Sequence, residues 1–343
     1  GRYKMQFNKI KLKDIADINM GQSPSGSSYN NNGRGIPFLQ GNKTFGFLYP
    51  TIDTWTTEPK KIGKKNSVLI SVRAPVGDLN IANKDICIGR GLCSIEMKNG
   101  NNQYLYYLMK NSIKKIKMKS TGTVFESINR KELENIEILD FNKSQQKKIS
   151  KILFDIDKKI ELNIQTNDNL FKIGDQLYFE NFDKYKKELP DGYRIVKLGD
   201  AVSNYDSKRK PMSSRERELH QGLYPYYGAT SIIDYVDDYI FDDTYLLMGE
   251  DGTVKTDKGY PVLQYIWGKN WINNHAHVLK GEKISTEFLV FALRKINIES
   301  MITGAVQPKI NQENMNKIEF VIGTESKNRE YENIFTNIMN KYK

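Results

Sequence analysis

Ser144–Glu180 reads SQQKKISKILFDIDKKIELNIQTNDNLFKIGDQLYFE, and the reading of this stretch decides the architecture of the chain. It holds no proline and one glycine, Gly174. Ile149, Leu153, Ile156, Ile160, Asn163, Asn167, Leu170, Gly174 and Leu177 follow one another in alternating steps of four and three. An apolar beat of that period is the a/d seam of a coiled coil, narrower than the stripe an ordinary surface helix turns to a core. At ~1.5 Å per residue the helix would run roughly 55 Å, longer than a small domain is wide. Asn163 and Asn167 put polar groups mid-seam, where buried asparagines fix register and partner at some cost in stability. Ser144 is the expected N-cap, and Pro190 with Gly192 closes the region. The plainer alternative is a long helix lying along a globular core.

At 343 residues the chain is long enough for two domains, each with its own core. No apolar run approaches the ~20 residues of a membrane span. No charged-then-apolar leader opens the sequence, so the expectation is a cytoplasmic protein with no membrane partner. Cys87 and Cys93 are too few for a disulfide scaffold and lack the further ligands of a zinc site. The formal charge of +11 is uneven. Residues 1–142 carry 22 basic and 12 acidic side chains, residues 143–187 carry 10 and 7, and residues 188–343 carry 20 and 22. A basic first half favours a polyanion, most simply nucleic acid.

In the first half, strand-like runs cover Ile36–Leu39, Ser67–Val72 and Ile86–Ile95, and Tyr104–Met118 reads as a helix. A Ser120-Thr-Gly-Thr123 loop and a short strand, Ile136–Leu139, precede the long helix. Then the chain starts over. Val196-Lys-Leu-Gly-Asp200 echoes Ile10-Lys-Leu-Lys-Asp14, and Pro225-Tyr-Tyr-Gly228 echoes Pro37-Phe-Leu-Gln-Gly41. Thr121-Gly-Thr-Val124 with Ile128-Asn129, Ile136 and Glu137 is matched by Thr303-Gly-Ala-Val306 with Ile310-Asn311, Ile318 and Glu319. Seven of the 17 aligned positions from Thr121 to Glu137 are identical at a constant offset of 182. This is a two-fold repeat of a domain plus a helix, not a solenoid of 20–50-residue units. The tail from Glu325 to Lys343 is the second helix, about half as long as the first, with Tyr331, Phe335, Ile338 and Tyr342 again stepping four, three, four.

The tools of an enzyme are missing from the sequence. There is no phosphate-binding glycine loop, no Gly-x-Gly-x-x-Gly after a strand, and no Asn/Asp-Pro-Pro-Tyr/Phe segment of an amino-methyltransferase. Glu58-x-Lys60 and Glu96-x-Lys98 have the spacing of many nucleases, but neither has an obvious partner aspartate. His275 and His277, two apart in a strand-like stretch, would point the same way from a sheet; without a third ligand they read as a DNA contact or a polar surface, so no metal is expected. The acidic run Asp234, Asp237, Asp238, Asp242 and Asp243 lacks the spacing and central glycine of a calcium loop and reads as a solvated edge.

Order, duplication and helical spacers together resemble the specificity subunits of type I restriction-modification systems, over nearly the whole chain. Each half opens with Lys-Leu-x-Asp and closes with Thr-Gly-x-Val-x-x-x-Ile-Asn and a short strand; Gln145-Gln-Lys-Lys-Ile149 leads into the helix. Leu247-Met-Gly-Glu-Asp-Gly252 with Asn273-Asn-His-Ala-His277 resembles second-domain segments of that family. The resemblance implies an α+β chain of two target recognition domains in tandem repeat, 1–142 and 188–323. They would be joined and spaced by long coiled-coil helices, 143–187 and a short 324–343.

It also implies a non-catalytic DNA-recognition subunit. Each domain would read one half of a bipartite site in double-stranded DNA. The helices would set the spacing and dock methyltransferase (modification) subunits, with restriction subunits joining later. No cofactor is expected: S-adenosylmethionine would belong to the modification subunit and ATP to the restriction subunit. Two other readings are a coiled-coil adaptor that does not touch DNA and the DNA-recognition part of a nuclease-methyltransferase.

Two departures from the family pattern stand out. Ser71-Val-Arg-Ala-Pro-Val-Gly77 stands where the second half has Gly-Glu-Asp-Gly, so the two halves should read different sequences. The short tail would leave the far seam around Leu170, Ile173 and Leu177 uncovered, unless aromatics such as Phe179, Phe182 and Tyr185 fold back on it. DNA contacts are expected on the recurring glycine loops and their basic flanks: Gln22, Ser23, Lys43, Arg73, Arg90, Lys119, Thr121 and Thr123 in the first half. In the second half they are Lys208, Arg209, Lys210, Glu250, His275, His277, Gln307 and Lys309.

Overall fold

The computed structural model describes residues 8–119, 127–304 and 306–343. The chain divides into two compact units, Gly1–Ile164 and Gln165–Lys343, with the boundary inside the long helix.

In the first unit Asn8–Lys11 pairs antiparallel with Glu137–Asp140, Ile10 opposite Ile138. A four-stranded antiparallel sheet runs in the order Ala16–Met20, Leu92–Met97, Val68–Ser71, Leu79–Ile81. Its strand Val68–Ser71 is buried along its whole length because both faces are covered. Val68, Ile70, Cys93 and Ile95 join a core with Tyr104, Leu105, Leu108 and Met109 of the helix Asn102–Lys119. The alternate residues Leu69 and Leu92 join a second core with Leu39, Ile86 and Ile88. Those last residues belong to a separate five-stranded sheet in which Phe38–Leu39 runs parallel to Cys87–Ile88. The run Ile86–Ile95, expected as one strand, is therefore two strands in two sheets. The chain crosses between them at Gly89-Arg90-Gly91, where a Cβ on Gly89 would stand 2.8 Å from the Gln40 backbone.

The second unit repeats this plan. Arg194–Lys197 pairs with Glu319–Ile322. The four-stranded sheet has the same order: Val202–Asn204, Ala276–Gly281, Tyr245–Gly249, Leu263–Ile266. Leu246, Met248 and Leu279 face the core shared with the helix Thr286–Leu293, and Leu247, Ala276 and Val278 face the other side with Phe241 and Ile272. A further sheet again holds one parallel pair, Tyr226–Tyr227 beside Trp271–Ile272.

The long helix spans Lys143–Asn181, 39 residues. Its cap is Asn142, not Ser144. The Asn142 side chain accepts from the Gln145 amide at 3.0 Å while the Gln145 side chain accepts from the Asn142 amide at 3.3 Å, a reciprocal capping box. The early turns belong to the first unit: Ile149 and Phe154 pack on its core, Tyr107 donates to Asp157 at 2.9 Å, and Glu161 accepts from the Leu48 amide at 3.2 Å.

The late turns belong to the second unit, and they correct the expectation of one continuous seam. Leu170 and Leu177, expected to lie uncovered, pack on that unit's core beside buried Tyr178 and Phe182. Phe335 and Ile338, expected as seam residues of the tail, are core residues there, with Phe335 4.7 Å from Phe291 and 5.5 Å from Phe288, ring to ring. The aromatic face of Thr286–Leu293 gives the tail helix Glu325–Tyr342 a larger apolar partner than a bare helix seam would. Tyr342 at its end meets Phe171 at 4.9 Å. Among the seam positions the middle ones remain open: Leu153, Ile156 and Ile160 are 39%, 54% and 40% exposed, and Asn163 is exposed too. In the late turns Ile173 and Phe179 stay exposed, as expected of the first and against the expected fold-back of the second.

Candidate nucleic-acid interface

In the first unit, three loops meet at one edge of the four-stranded sheet because glycines let their backbones touch. Gly21 donates to the Leu92 carbonyl and Gln22 to that of Ile88, both at 2.9 Å, and Gly91 donates to Gln40 at 3.1 Å. A Cβ on Gly21 would fall 2.2 Å from the Gly89 oxygen. Ser23 lies in the middle: its hydroxyl donates to the Gln40 side chain at 2.9 Å and accepts from the Arg90 amide at 3.2 Å. The turn after Val68–Ser71 joins them, Val72 donating to Gly91 at 2.9 Å, and Arg73 bridges to Ser127. Gln22, Arg73 and Arg90 are exposed here, and Lys43 is exposed on the loop after Gln40. The side chain of Lys119 and all of Thr121 and Thr123 lie outside the described residues.

The corresponding edge of the second unit is built from charge. His277 occupies the strand position of Cys93: it stands opposite Met248 as Cys93 stands opposite Ile70. Burial pushes the Cys93 thiol up to about 12, so it is an inert apolar group. His277 Nδ1 instead lies 2.6 Å from Asp206 and its Nε2 2.9 Å from the Ile310 carbonyl. Asp206 also accepts from the Val278 amide at 2.8 Å. Arg209 donates to Glu250 at 2.6 Å and to the Ala276 carbonyl at 2.7 Å, and Lys309 lies 3.2 Å from Glu250. His275 Nδ1 is 2.5 Å from Asp251.

These contacts set the ionisation of the cluster. Burial opposes the charged form of His277, but Asp206, the Ile310 carbonyl and Glu250 outweigh it and hold the ring above its ordinary value. Burial likewise works against ionised Asp206 and Glu250. Hydrogen bonds from His277 and the Val278 amide to the first, and from Arg209 to the second, leave both below the ordinary carboxylate range.

The structure brings Arg209, Glu250, His275, His277 and Lys309 together. It places His277 in the interior, 1% exposed with both ring nitrogens engaged, which corrects its reading as a DNA contact. Arg209 and Glu250 are also largely enclosed, each side chain 13% exposed, so they shape this edge more than they line it. Lys208 and Lys210 are exposed beside them, Lys208 over the Tyr205 ring at 5.0 Å. Thr303 and Lys309 exchange two backbone hydrogen bonds of 2.8 Å and close a loop whose exposed Val306 and Gln307 project; Gly304, at φ +85, makes the turn.

The sequence reading missed Asp206 and Gln40. Asp206 sits in no motif and Gln40 lies in the repeated Pro37–Gly41 stretch without being singled out; only the fold brings them to their partners. Ligand atoms of Asp206, Glu250 and His277 come within 4.8 Å of one another. Arg209 and Lys309 already supply the positive charge there, so the group is an internal ion-pair network. Of the two nuclease-like pairs, Glu96 and Lys98 have structural partners: Lys98 donates to the Lys13 carbonyl at 2.8 Å, and Glu96 lies 4.0 Å from Lys64. In the acidic run, Asp234 pairs with Arg217 at 2.9 Å. No helix among the described residues is long and apolar enough to cross a membrane.

A family model described as type I restriction modification DNA specificity domain matches residues 5–171 and again 190–341. A Methanocaldococcus jannaschii protein provisionally named type I restriction enzyme MjaX specificity subunit is 43% identical over 157 residues, covering 45% of this chain and 37% of that protein. The type I restriction enzyme MjaIX specificity subunit of the same organism is 27% identical over 64% of this chain and 56% of its own length. The chain thus spans between about a third and somewhat over half of the curated relatives it matches. Among solved structures, that of the type I restriction-modification system S subunit from M. genitalium superposes with a TM-score of 0.69 over 99% of this chain and 91% of that one, at 17% identity, a likeness of fold.

Proposed function

This chain belongs to the type I restriction modification DNA specificity family, and from that footing we propose that it is the DNA sequence-specificity subunit of a type I restriction-modification complex. Each unit reads one half of a bipartite site in duplex DNA. The observation that carries this reading is the duplicated loop edge: the same sheet order in both units, with the same turns bonded together, presents different side chains. Two diverged readers in one chain suit an asymmetric site, as two-fold dimers suit palindromes. Base readout would fall to the exposed Gln22, Arg73, Arg90 and Gln307, and phosphate contacts to Lys43, Lys119, Lys208, Lys210 and Lys309.

Methylation and cleavage reside in partner subunits, and the chain itself is not an enzyme and takes no cofactor. The long helix sets the separation of the half-sites in a coiled-coil arrangement. Its exposed Ile152, Leu153, Ile156 and Ile160 support a docking strip for the modification subunits, with restriction subunits added to that core and the complex working in the cytoplasm.

The test is to co-express the chain with a methyltransferase partner and map methylated bases across the host genome. One bipartite, asymmetric site is expected. Exchanging residues 1–142 for a divergent recognition domain should change one half of it only. If no new methylation appears in a complex that co-purifies, the adaptor reading replaces this one.

A further inference from the structure

His277 is a buried ring between two acceptors. The Asp206 carboxylate 2.6 Å from Nδ1 and the Ile310 carbonyl 2.9 Å from Nε2 can only accept hydrogen bonds. A neutral imidazole carries one N–H, so satisfying both requires the doubly protonated ring. The two acceptors lie on segments far apart in sequence. Asp206 opens the short turn Asp206–Lys208 that leads to Lys208, Arg209 and Lys210. Ile310 closes the loop Thr303–Lys309 that carries Val306 and Gln307 at its tip. The charged groups around the ring are Asp206 and Arg209 from the first segment, Glu250 and Asp251 from the turn after the third strand, His275 just before, and Lys309 from the loop. Glu250 comes within 3.7 Å of Nδ1. In the first unit the apolar Cys93 fills the same strand position.

We propose that His277, as an imidazolium, is a positioning residue for DNA readout by the second unit, holding the Asp206–Lys210 segment and the Thr303–Lys309 loop in one arrangement. The inference rests on the DNA-recognition reading above. Loss of the ring proton leaves one buried acceptor without a donor and leaves Asp206 and Glu250 with one counter-charge fewer. The two segments then lose the bridge through the ring and keep Glu250, which Arg209 and Lys309 both reach, as a shared contact. Readout of the second half-site depends on this proton, and readout of the first does not.

The sequence has three histidines, His220, His275 and His277, so nitrogen NMR of histidine-labelled full-length chain resolves each ring, with His277→Gln assigning the signal. His277 is expected protonated at both nitrogens at neutral pH; a neutral single tautomer there overturns the proposal. In parallel, duplexes are selected from a randomised pool by the full chain with its co-expressed methyltransferase partner. The selection is run at about pH 6.5 and again well above the value at which the ring titrates. Wild type should enrich two half-motifs at the lower pH and lose the second by roughly tenfold or more at the higher, the scale of one or two misread base pairs. His277→Gln and His277→Cys, checked as folded by the remaining histidine signals, should enrich the first half-motif alone at both. If folded variants keep both half-motifs, or lose both, the positioning role is wrong while DNA recognition stands. If wild type enriches nothing, the DNA reading itself fails and takes this inference with it.

Discussion

Asn129 and Asn311, 182 residues apart, cap the same short helix in the two units. Each side chain accepts a hydrogen bond from the amide three residues on, Glu132 at 3.0 Å and Asn314 at 2.8 Å. Each follows a buried isoleucine whose amide donates to the turn after the third strand: Ile128 to Val72 at 3.0 Å and Ile310 to Glu250 at 2.9 Å. The duplication is therefore preserved as hydrogen bonds. Asn129→Ala and Asn311→Ala should each cost about 1 kcal/mol. Urea unfolding followed in full-length chain measures this, and an unchanged midpoint would mean the cap is idle.

Gly174→Ala should destabilise, against the helix preference for alanine of about 1 kcal/mol. Its Cβ would fall 2.1 Å from the Phe291 ring, which is fully packed between Phe171 and Phe335. Overpacking of this kind costs roughly 1–3 kcal/mol. A thermal midpoint at or above wild type would show that Phe291 can move aside.

The ionic cluster should make stability of the second unit fall on both sides of a mildly acidic optimum. Asp206 and Glu250 sit below their ordinary values, so their contribution is complete above about pH 4 and is lost as pH falls through the lowered values. His277 sits above its ordinary value, so its contribution is complete below about pH 6.5 and is lost as pH rises through the raised value. Asp206→Asn should flatten both limbs and cost roughly 1–3 kcal/mol near the optimum, because His277 loses its charged acceptor. Urea midpoints across the pH range check this; parallel curves for wild type and variant would be the contrary result.

Lys43→Ala should weaken duplex DNA binding about equally for all sequences and lower the salt slope by about 1, since one phosphate contact releases about one counterion. Arg90→Ala should instead relax the preference at one position of the first half-site by roughly 1–3 kcal/mol. Titrations at several salt concentrations separate the two behaviours, and a Lys43 variant with the wild-type slope removes it from the interface.

Ile152→Ser with Ile156→Ser should leave stability within about 0.5 kcal/mol, since these side chains are 62% and 54% exposed. The same double variant should fail to co-purify with the modification subunit. Leu170→Asp, by contrast, should unfold the second unit, because Leu170 packs on its core. Normal assembly of the double variant would place docking elsewhere.

Much of the architecture was legible in the residues. A helix without proline for 37 positions has few alternatives, and two copies of Thr-Gly-x-Val-x-x-x-Ile-Asn announce a duplication because the same turn needs the same residues. The basic first half and the glycine loops pointed to one class of ligand and to the loops that would meet it.

What sequence could not supply is which partner each periodic position would find. The four-three beat at Leu170, Leu177, Phe335 and Ile338 suits a second helix or an aromatic core equally well, because periodicity reports a buried face and not what buries it. Tertiary packing chose Phe288 and Phe291. The same holds for His275 and His277: a shared face was expected of two positions in one strand, but His275 lies exposed in the turn before Ala276–Gly281, while His277, inside the strand, is enclosed at 1%. Asp206 lies 71 residues before His277, and no local spacing links a carboxylate to a ring at that distance. Sequence determined the repeat, the helices and the chemistry on offer. The tertiary structure decided which charges would be neutralised inside and which would remain at the surface, because desolvation acts on distances that exist only once the sheet has formed.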